Sequence, residues 1–239
     1  MTTLFYPIIT KKKIISQHIE KFEFNLGIMV VSCWRVEQEG RYYLIDSGMG
    51  KMASYLLNNY MENQKLGAVF LTHGHSDHIG GVVTLKQSFP NAPVLISQLE
   101  FPYISGEKPY PKRKKTEKKV FPLSTFLSLE SESGQQLQKD AGIEAVFTPG
   151  HSPGHHCFYH AEDDVLIAGD LFTTNGAGQL KPPMKQYTAD LPLALKSGRT
   201  ILEKYPKSLL SICHGTEVEN NFGESEQPAW LTNPTIKEQ

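Results

Sequence analysis

Apolar residues occur along the chain in short runs separated by turn-forming residues, and the spacing within these runs predicts strands with helices between them. Residues 22–36 are rich in β-branched and aromatic side chains, residues 37–40 predict a turn, and residues 42–45 form a second apolar run. Residues 52–61 carry apolar positions at helical spacing. Residues 68–71 predict a short buried strand that leads directly into a cluster of histidines.

The same alternation continues through the second half of the chain. Residues 82–89 predict a helix that Pro90 closes, and residues 94–96 predict another strand. Later runs predict strands at residues 144–147, 157–159, 165–168 and 208–212 and a helix at residues 191–205. Strands in both halves with helices between them indicate the α/β class, in a single layered domain that spans residues 1–239.

Overall charge and hydropathy narrow the classes of function. The chain has 239 residues and a formal net charge of -1, which does not favour nucleic-acid binding. No apolar run approaches the ~18 residues that a membrane span needs. The apolar run at residues 4–9 is followed rather than preceded by lysines, so it does not predict a signal peptide. We therefore expect a small-molecule substrate, with neither nucleic acid nor a membrane as partner.

Three cysteines, Cys33, Cys157 and Cys213, lie far apart in the sequence and form no C-x-x-C motif. An odd and sparse set of this kind favours free thiols in a reducing compartment, so the sequence predicts a cytoplasmic protein. The expected role of the cysteines is that of small buried hydrophobic residues.

One segment, residues 103–119, lacks hydrophobic periodicity and is rich in proline and lysine. It is named the basic segment here, because residues 106–119 contain seven basic and two acidic side chains, a local charge of +5. The composition predicts an exposed loop or the edge of a lid. Such a segment is either simply solvated, or it borders the functional site and attracts anionic substrates.

The chemistry of the chain is concentrated in residues 72–78, Thr-His-Gly-His-Ser-Asp-His, which follow a predicted strand. Four possible metal ligands fall within six residues: His73, His75, Asp77 and His78. Residues i and i+2 do not face each other on a helix but point the same way in extended chain, so His73 and His75 can share one ion at a strand end. Asp77 and His78 then turn toward a neighbouring point. The spacing therefore predicts two adjacent metal sites.

Three further possible ligands, His151, Asp170 and His214, each follow an apolar run, where a sheet usually presents its functional residues. His155 and His156 are rivals of His151, which is favoured because it lies at a turn while the other two enter the next strand. Taken alone, Asp170 could cap a helix and His214 could be structural.

Three other polar residues have weaker signals. Asp46 either holds a ligand imidazole in one tautomer or simply forms a turn. His18 and His160 lie outside the motifs, and a structural role is expected for both.

In order and in residue type, these positions resemble the metallo-β-lactamase superfamily. The match runs from residues 44–48, Leu-Ile-Asp-Ser-Gly, through the histidine motif to the final histidine. The resemblance implies a four-layer αβ/βα sandwich with metals at one edge. It implies one metal on His73, His75 and His151, a second on Asp77, His78 and His214, and Asp170 as the bridge between them.

An aspartate at the bridging position resembles glyoxalase II and the acyl-homoserine lactonases, since the zinc β-lactamases usually carry cysteine there. The run at residues 91–96 followed by Glu100 is also similar to the lactonases. Those lactonases place a substrate-handling tyrosine shortly after the bridging aspartate, whereas this chain has Leu171, Phe172 and Thr173 at that point.

The resemblance implies a metal-dependent hydrolase that cleaves a lactone, ester or thioester carbonyl with a hydroxide bridging two divalent ions. Two ions ~3.5–4 Å apart lower the pKa of a bridging water toward ~7. Asp77 is the expected catalytic residue, because it can orient the hydroxide and pass a proton to the leaving group. Nitrogen and oxygen ligands suit zinc, iron and manganese, with zinc expected first.

Other functions are compatible with the same fold. An iron-dependent persulfide dioxygenase has overlapping ligands. Phosphodiesterases of the superfamily also cleave their substrates at such a centre, but the near-neutral net charge of this chain argues against phosphodiester cleavage. Flavodiiron proteins usually carry glutamate where His75 stands and add a flavin domain, which is not expected here. A non-catalytic scaffold is disfavoured by the complete ligand set.

The segment at residues 180–190 lies between Asp170 and the helix that leads to the last ligand. Pro182 and Pro183 stiffen it and disfavour an ordinary helix or central strand. Because it begins ten residues after Asp170, it cannot lie far from the metals, and it could form a wall of the substrate pocket. Tyr187 would then supply a catalytic hydroxyl. The alternative is a surface connection whose tyrosine packs on the core.

Overall fold

A computed structural model describes residues 10–27, 29–61, 65–222 and 228–232 of the chain. The apolar run at residues 4–9 lies outside the described residues. None of the helices in the described ranges combines the length and the apolar character that crossing a bilayer requires.

The first sheet has seven strands that lie side by side in chain order. Its strands are β1 (Thr10–Ile14), β2 (Ile19–Asn25), β3 (Val30–Gln38), β4 (Arg41–Ile45), β5 (Leu66–Phe70), β6 (Val94–Ile96) and β7 (Phe126–Ser128). β1 to β4 pair in antiparallel fashion, and β4 to β7 pair in parallel. The carboxyl ends of β4 to β7 therefore share one edge of the sheet.

The second sheet is built from the later part of the chain. Its strands are β8 (Ile143–Phe147), β9 (His156–His160), β10 (Val165–Gly169), β13 (Leu209–Ile212) and β14 (Val218–Glu219). Between β10 and β13 the chain forms a separate two-stranded hairpin of β11 (Thr173–Thr174) and β12 (Leu180–Lys181). The strand order in the sheet is β14-β13-β10-β9-β8. Since β10 and β13 are parallel, the residues that follow them lie at the same edge.

Helices cover the outer faces of both sheets. They are α1 (Gly50–Tyr60), α2 (Ser76–Ile79), α3 (Val82–Ser88), α4 (Phe101–Ile104), α5 (Glu132–Asp140), α6 (Leu191–Lys204) and α7 (Ala229–Thr232). Side chains of α1 and α3 pack on the first sheet, and those of α6 and α7 pack on the second. The predicted four-layer αβ/βα sandwich is confirmed.

The largest core lies between the two sheets. Along β10, Val165 and Ile167 join the core shared with the first sheet, whereas Leu166 faces the outer helices, as the two-residue period of a strand requires. Phe70 and Phe158 meet across the sheets with ring centroids 5.8 Å apart. Both are fully buried, and burial of each such side chain stabilises the fold by about 1.5–3 kcal/mol.

Most predicted elements are present, but the structure also contains several elements that were not predicted. The helix α5 carries only Gly134 and Gln138 as buried residues, so it has no apolar stripe, and Ser131 begins it by accepting a hydrogen bond from the backbone N–H of Gly134 at 3.0 Å. The strand β1 contains three consecutive lysines and pairs at the sheet edge. After α4, the basic segment forms neither helix nor strand, as predicted.

Candidate metal centre

The predicted ligands come from loops, and in the case of Asp77 and His78 from the short helix α2, at the same end of the two sheets. Residues 73–78 follow β5 in the first sheet. In the second sheet, His151 lies in the loop from β8 to β9, Asp170 directly follows β10, and His214 follows β13. The structure brings the side chains of all seven predicted ligands together in two adjoining groups.

Three imidazoles form the first group. Nδ1 of His75 lies 2.8 Å from Nε2 of His73 and 3.0 Å from Nε2 of His151. All three rings are buried. In a tetrahedral site with metal–nitrogen bonds of about 2.0–2.1 Å, ligand nitrogens are roughly 3.3 Å apart, so this spacing is close to that of a three-histidine metal site.

Two carboxylates and two imidazoles form the second group. Nε2 of His214 lies 3.1 Å from Oδ2 of Asp170 and 3.4 Å from Oδ2 of Asp77. Nε2 of His78 lies 3.3 Å from Oδ1 of Asp170 and 3.7 Å from Oδ2 of Asp77. The side chain of Asp77 is 25% exposed against 6% for Asp170, so Asp77 is the carboxylate on the solvent side.

Asp170 lies between the two groups. Its Oδ2 is 3.3 Å from Nε2 of His151 in the first group and 3.1 Å from Nε2 of His214 in the second. Its Oδ1 is buried and accepts no hydrogen bond from the described residues. Nε2 of His78 lies 3.3 Å from this oxygen without making a hydrogen bond to it, and a bound cation would satisfy the oxygen.

The first group is neutral at pH 7. Burial lowers the pKa of His73 and of His75 well below the usual range and lowers the pKa of His151 to about 4. Neutral imidazoles keep a lone pair free, which is the form that binds a metal.

The second group carries charge in the metal-free protein. Burial acts to lower the pKa of His214, but Asp170, Cys213 and Asp77 together outweigh it and raise this pKa to about 12. Burial also acts to lower the pKa of His78, but the nearby carboxylates, chiefly those of Asp170 and Asp46, raise this pKa well above the usual range. Conversely, burial acts to raise the pKa of Asp170, but His214 and His78 hold it well below the usual range. A cation bound here would displace protons from the imidazoles.

Asp46 orients one of these ligands. Its buried carboxylate accepts a 2.8 Å hydrogen bond from the backbone N–H of Thr72, and its Oδ2 lies 2.7 Å from Nδ1 of His78. That contact leaves Nε2 of His78 to face the other ligands. Asp46 also has a left-handed φ of 61°. The structure therefore shows both features considered for Asp46, a tautomer-fixing contact and a turn.

Lys21 supports the loop that carries His214. Its side chain is fully buried, and Nζ donates hydrogen bonds of 2.8 Å to the carbonyl oxygen of Gly215 and 2.8 Å to Glu217. Nδ1 of His214 lies 2.6 Å from the carbonyl oxygen of Val30 and can donate to it. Nε2 of His214 is thereby directed at the two carboxylates.

His155 and His156 do not join the three-imidazole group. Nε2 of His155 lies 3.2 Å from the backbone N–H of Asp170 and accepts its hydrogen bond. Nδ1 of His156 lies 2.9 Å from the carbonyl oxygen of Gly154. His155 therefore supports the backbone of Asp170, while His151 is the histidine of this loop that faces His73 and His75.

His18 and His160 form a separate group with Asp163. The carboxylate of Asp163 accepts hydrogen bonds from the hydroxyl of Ser16, from the backbone N–H of His18 at 3.0 Å, and from Nδ1 of His18 at 2.9 Å. These contacts tie the β1–β2 turn to the β9–β10 turn, and the structural role expected for both histidines stays a prediction.

All three cysteines are buried and unpaired. Cys213, however, borders the second group, with Sγ 4.0 Å from Nε2 of His78. Its Sγ lies within 4.8 Å of donor atoms from His78, Asp170 and His214. The expectation that Cys213 is only a small hydrophobic residue is therefore incomplete.

A pocket of about 260 Å³ opens over both groups. Tyr187 lines it, is 50% exposed and belongs to neither core cluster, so the alternative that this tyrosine packs on the core is wrong. Arg113 of the basic segment lines the pocket as well, so this segment borders the site. An apolar wall completes the pocket, formed by Leu26, Met29, Val31, Met49 and Met184.

The donor set fits two divalent cations. Neutral imidazole nitrogens together with carboxylate oxygens are ligands that zinc and iron both accept, and a thiol nearby is compatible with either. The carboxylate of Asp170, whose Oδ2 lies within 3.3 Å of a nitrogen from each group, supplies negative charge that two adjacent cations require.

Comparison with known sequences agrees with this geometry. The sequence profile of the Metallo-beta-lactamase superfamily matches residues 26–214. The chain is 32% identical over 210 residues to the probable metallo-hydrolase YybB of Bacillus subtilis (strain 168), covering 87% of this chain and 92% of that protein. It is 30% identical over 117 residues to a hydroxyacylglutathione hydrolase of Synechococcus sp. (strain JA-2-3B'a(2-13)), covering 48% of this chain and 38% of that enzyme.

Solved structures share the fold. TTHA1623 in a di-iron-bound form matches with a TM-score of 0.64 and 24% identity, covering 87% of this chain and 98% of that one. A metallo-beta-lactamase from Pontibacter korlensis matches with a TM-score of 0.63 and 20% identity, covering 94% and 100% of the respective chains. Because the superfamily profile spans most of the sequence, the chain belongs to the metallo-beta-lactamase superfamily, whose members are mostly metal-dependent hydrolases.

Proposed function

We propose that this protein is a dinuclear hydrolase that cleaves a lactone, ester or thioester carbonyl. The observation that carries the proposal is the position of Asp170, whose Oδ2 lies within 3.3 Å of a nitrogen from each ligand group. A carboxylate shared between three neutral imidazoles and a second, charged group supports two ions rather than one.

Each group would hold one ion, and Asp170 would contact both. The first ion would be bound by His73, His75 and His151 and the second by Asp77, His78 and His214. Zinc is the first expectation for both positions, and the di-iron form of TTHA1623 supports iron as the alternative. When bound, the ions supply an activated water and polarise the carbonyl of the substrate.

Asp77 is proposed as the residue that handles the proton. It is the more exposed of the two carboxylates and lines the pocket, so it can accept a hydrogen bond from the attacking water. After attack, the same carboxylate can pass the proton to the leaving oxygen or sulfur. The side chain of Asp170 is only 6% exposed and is therefore less accessible to a leaving group of this kind.

Tyr187 is proposed to hydrogen-bond the substrate. Its hydroxyl belongs to a half-exposed side chain in the same pocket as Asp77 and His214. A phenol donor directed at the carbonyl oxygen stabilises negative charge as it develops there. Tyr187 would thereby replace the tyrosine that lactonases carry nearer to the bridging aspartate.

The pocket favours a small acyl substrate. Its volume of about 260 Å³ is near the lower end of the ~300–1,000 Å³ typical of ligand sites. Met29, Met49 and Met184 offer a flexible apolar wall for an alkyl or aryl group. Arg113 adds a guanidinium at the rim, so substrates with an additional negative charge are expected to bind more tightly than neutral ones.

The test is a substrate screen on metal-free protein reloaded separately with zinc, iron or manganese. The panel contains lactones, thioesters, oxyesters, β-lactams and phosphodiesters, with metal-free protein as the control. Metal-dependent turnover of an acyl substrate, with two ions per chain by elemental analysis, is expected. Oxygen consumption with a persulfide, or cleavage of phosphodiesters alone, would instead assign one of the other activities known on this fold.

A further inference from the structure

Glu100 is a buried carboxylate that touches the ligand loops without being a ligand. Its Oε1 accepts hydrogen bonds from the hydroxyl of Ser152 at 2.7 Å and from the backbone N–H of Gly154 at 2.6 Å. Its Oε2 accepts from the backbone N–H of Gly74 at 3.1 Å and from the hydroxyl of Tyr110. Four donors from three other parts of the chain therefore converge on one carboxylate, whose exposure is 0%.

Three of these partners, Gly74, Ser152 and Gly154, belong to the loops that carry the first ligand group. Gly74 stands between His73 and His75, and Ser152 directly follows His151. The first loop extends from the first sheet and the second loop connects strands of the second sheet. Glu100 thus joins the two loops whose nitrogens must converge if one ion is to bind all three histidines.

The two glycines permit this close approach. A Cβ atom at Gly74 would lie 2.4 Å from the hydroxyl oxygen of Tyr110, and one at Gly154 would lie 2.9 Å from Oε1 of Glu100. Both distances are shorter than the van der Waals contact of a Cβ atom allows. Glycine is therefore needed at both positions for the carboxylate to reach the backbone.

Tyr110 connects the same carboxylate to the basic segment. Its ring is 2% exposed and meets the ring of His75 edge-on at 4.7 Å. It stacks on Tyr103 at 4.5 Å, and the guanidinium of Arg113 lies 5.3 Å from its centroid. The basic segment is therefore fixed at its buried centre, while most of its charged side chains face solvent.

We propose that Glu100 is a positioning residue that holds the first metal site in its three-histidine arrangement and, through Tyr110, holds the basic segment as a wall of the pocket. Its carboxylate acts by satisfying donors on both ligand loops, and removal of such a partner leaves buried groups unpaired. The metal part of this inference rests on the proposed two-metal function, whereas the part about the basic segment does not.

The first experiment measures metal affinity in Glu100→Gln. This substitution keeps the size of the side chain but replaces an accepting oxygen with a donating amide, which cannot satisfy one pair of donors. Metal-free protein titrated with Zn²⁺ against a chromophoric chelator should bind one of its two ions about 10–100-fold more weakly, with little change in the other. Ser152→Ala removes a single donor and should show the same selective loss, to a smaller extent, even if Glu100→Gln fails to fold.

The second experiment uses trypsin on Tyr110→Phe, which removes only the hydroxyl that binds Glu100. The basic segment offers exposed cleavage sites at Lys112, Lys114 and Lys115. Cleavage at these sites should be about tenfold faster than in the wild-type protein, because one buried hydrogen bond no longer opposes local opening. Both zinc affinities should stay unchanged in this variant.

Glu130→Gln provides the matched control. Glu130 accepts hydrogen bonds from Ser97 and Gln98 near the same turn, but it is exposed and contacts neither ligand loop. This variant should match the wild-type protein in both assays.

Wild-type affinity for both ions in Glu100→Gln and Ser152→Ala, or an equal loss of both, would overturn the positioning role. A wild-type trypsin rate in Tyr110→Phe would overturn the link to the basic segment. A wild-type protein that binds fewer than two ions would refute the two-metal function itself, before any variant is compared.

Discussion

The two ligand groups of the centre differ in charge and in the residues that support them. His73, His75 and His151 are neutral, and the loops that carry them meet at the buried carboxylate of Glu100. The second group couples imidazolium side chains to two carboxylates and rests on a buried ammonium, that of Lys21.

This difference indicates that the two positions bind metal by different routes. The first group is ready to accept an ion, because lone pairs already converge and no proton has to leave. The second group is stabilised without metal by its own ion pairs, so an ion has to replace them. We therefore expect the first position to load more readily near neutral pH, and the predictions below test this contrast.

The largest effect is expected from His73→Ala combined with His75→Ala. Two of the three nitrogens of the first group are lost, so the variant should retain at most one ion per chain. Because the ions supply several kcal/mol of transition-state stabilisation, kcat/KM should fall by about 10³-fold or more. Elemental analysis and steady-state kinetics measure both quantities, and His18→Ala serves as a histidine control remote from the motif. Two ions in the active double variant would contradict the assignment.

The next prediction separates the bridging carboxylate from a ligand of one group. Asp170→Ala should weaken both ions, since Oδ2 lies near His151 and His214 alike, whereas His214→Ala should weaken mainly one. Each affected affinity should fall by at least about 100-fold. Stepwise zinc titration distinguishes the two patterns. Full metal content and activity in Asp170→Ala would reduce this residue to a structural role.

A third prediction concerns pH. In the metal-free protein the pKa of His214 is about 12 and that of His151 is about 4. Protons therefore have to leave the second group but not the first, and raising the pH favours metal only where protons leave. Between about pH 6 and 9, affinity for one ion should stay constant, while affinity for the other should rise about tenfold per pH unit for each proton displaced. Titrations at several pH values test this, and equal slopes for both ions would contradict the contrast.

The smallest effect is expected from Tyr187→Phe. Loss of one half-exposed hydrogen bond should lower kcat by about 2- to 10-fold, which corresponds to about 0.5–1.5 kcal/mol. Metal content and melting temperature should not change, because the side chain contributes to neither ligand group nor core. An unchanged kcat would remove Tyr187 from the catalytic machinery.

The convergence of the candidate ligands could be predicted because their signal is local. Four of them fall within residues 73–78, and spacing alone separates strand-end from helical presentation. The other three follow apolar strands whose pattern is easily recognised. The same reasoning predicted the α/β class and the buried strands, since strands such as β5 and β10 are apolar runs, whereas the four-layer arrangement was implied by the family resemblance.

The supporting residues other than Asp46 could not be predicted in this way. Glu100 and Lys21 are single charged residues within ordinary segments, and their partners lie elsewhere in the sequence. Burial of such charges depends on tertiary packing rather than on local periodicity. The helix α5 was missed for a related reason, because Gln138 is buried through hydrogen bonds instead of an apolar surface.

The ligands come from both sheets, and this has a consequence for the lifetime of the protein. Ions bound as proposed would act as cross-links between the two halves of the sandwich, present only in the folded chain. Each tenfold rise in free metal would then add about 1.4 kcal/mol per ion to the free energy of unfolding. Metal supply in the cell would thus govern how much of the protein escapes degradation, in addition to how fast each copy works.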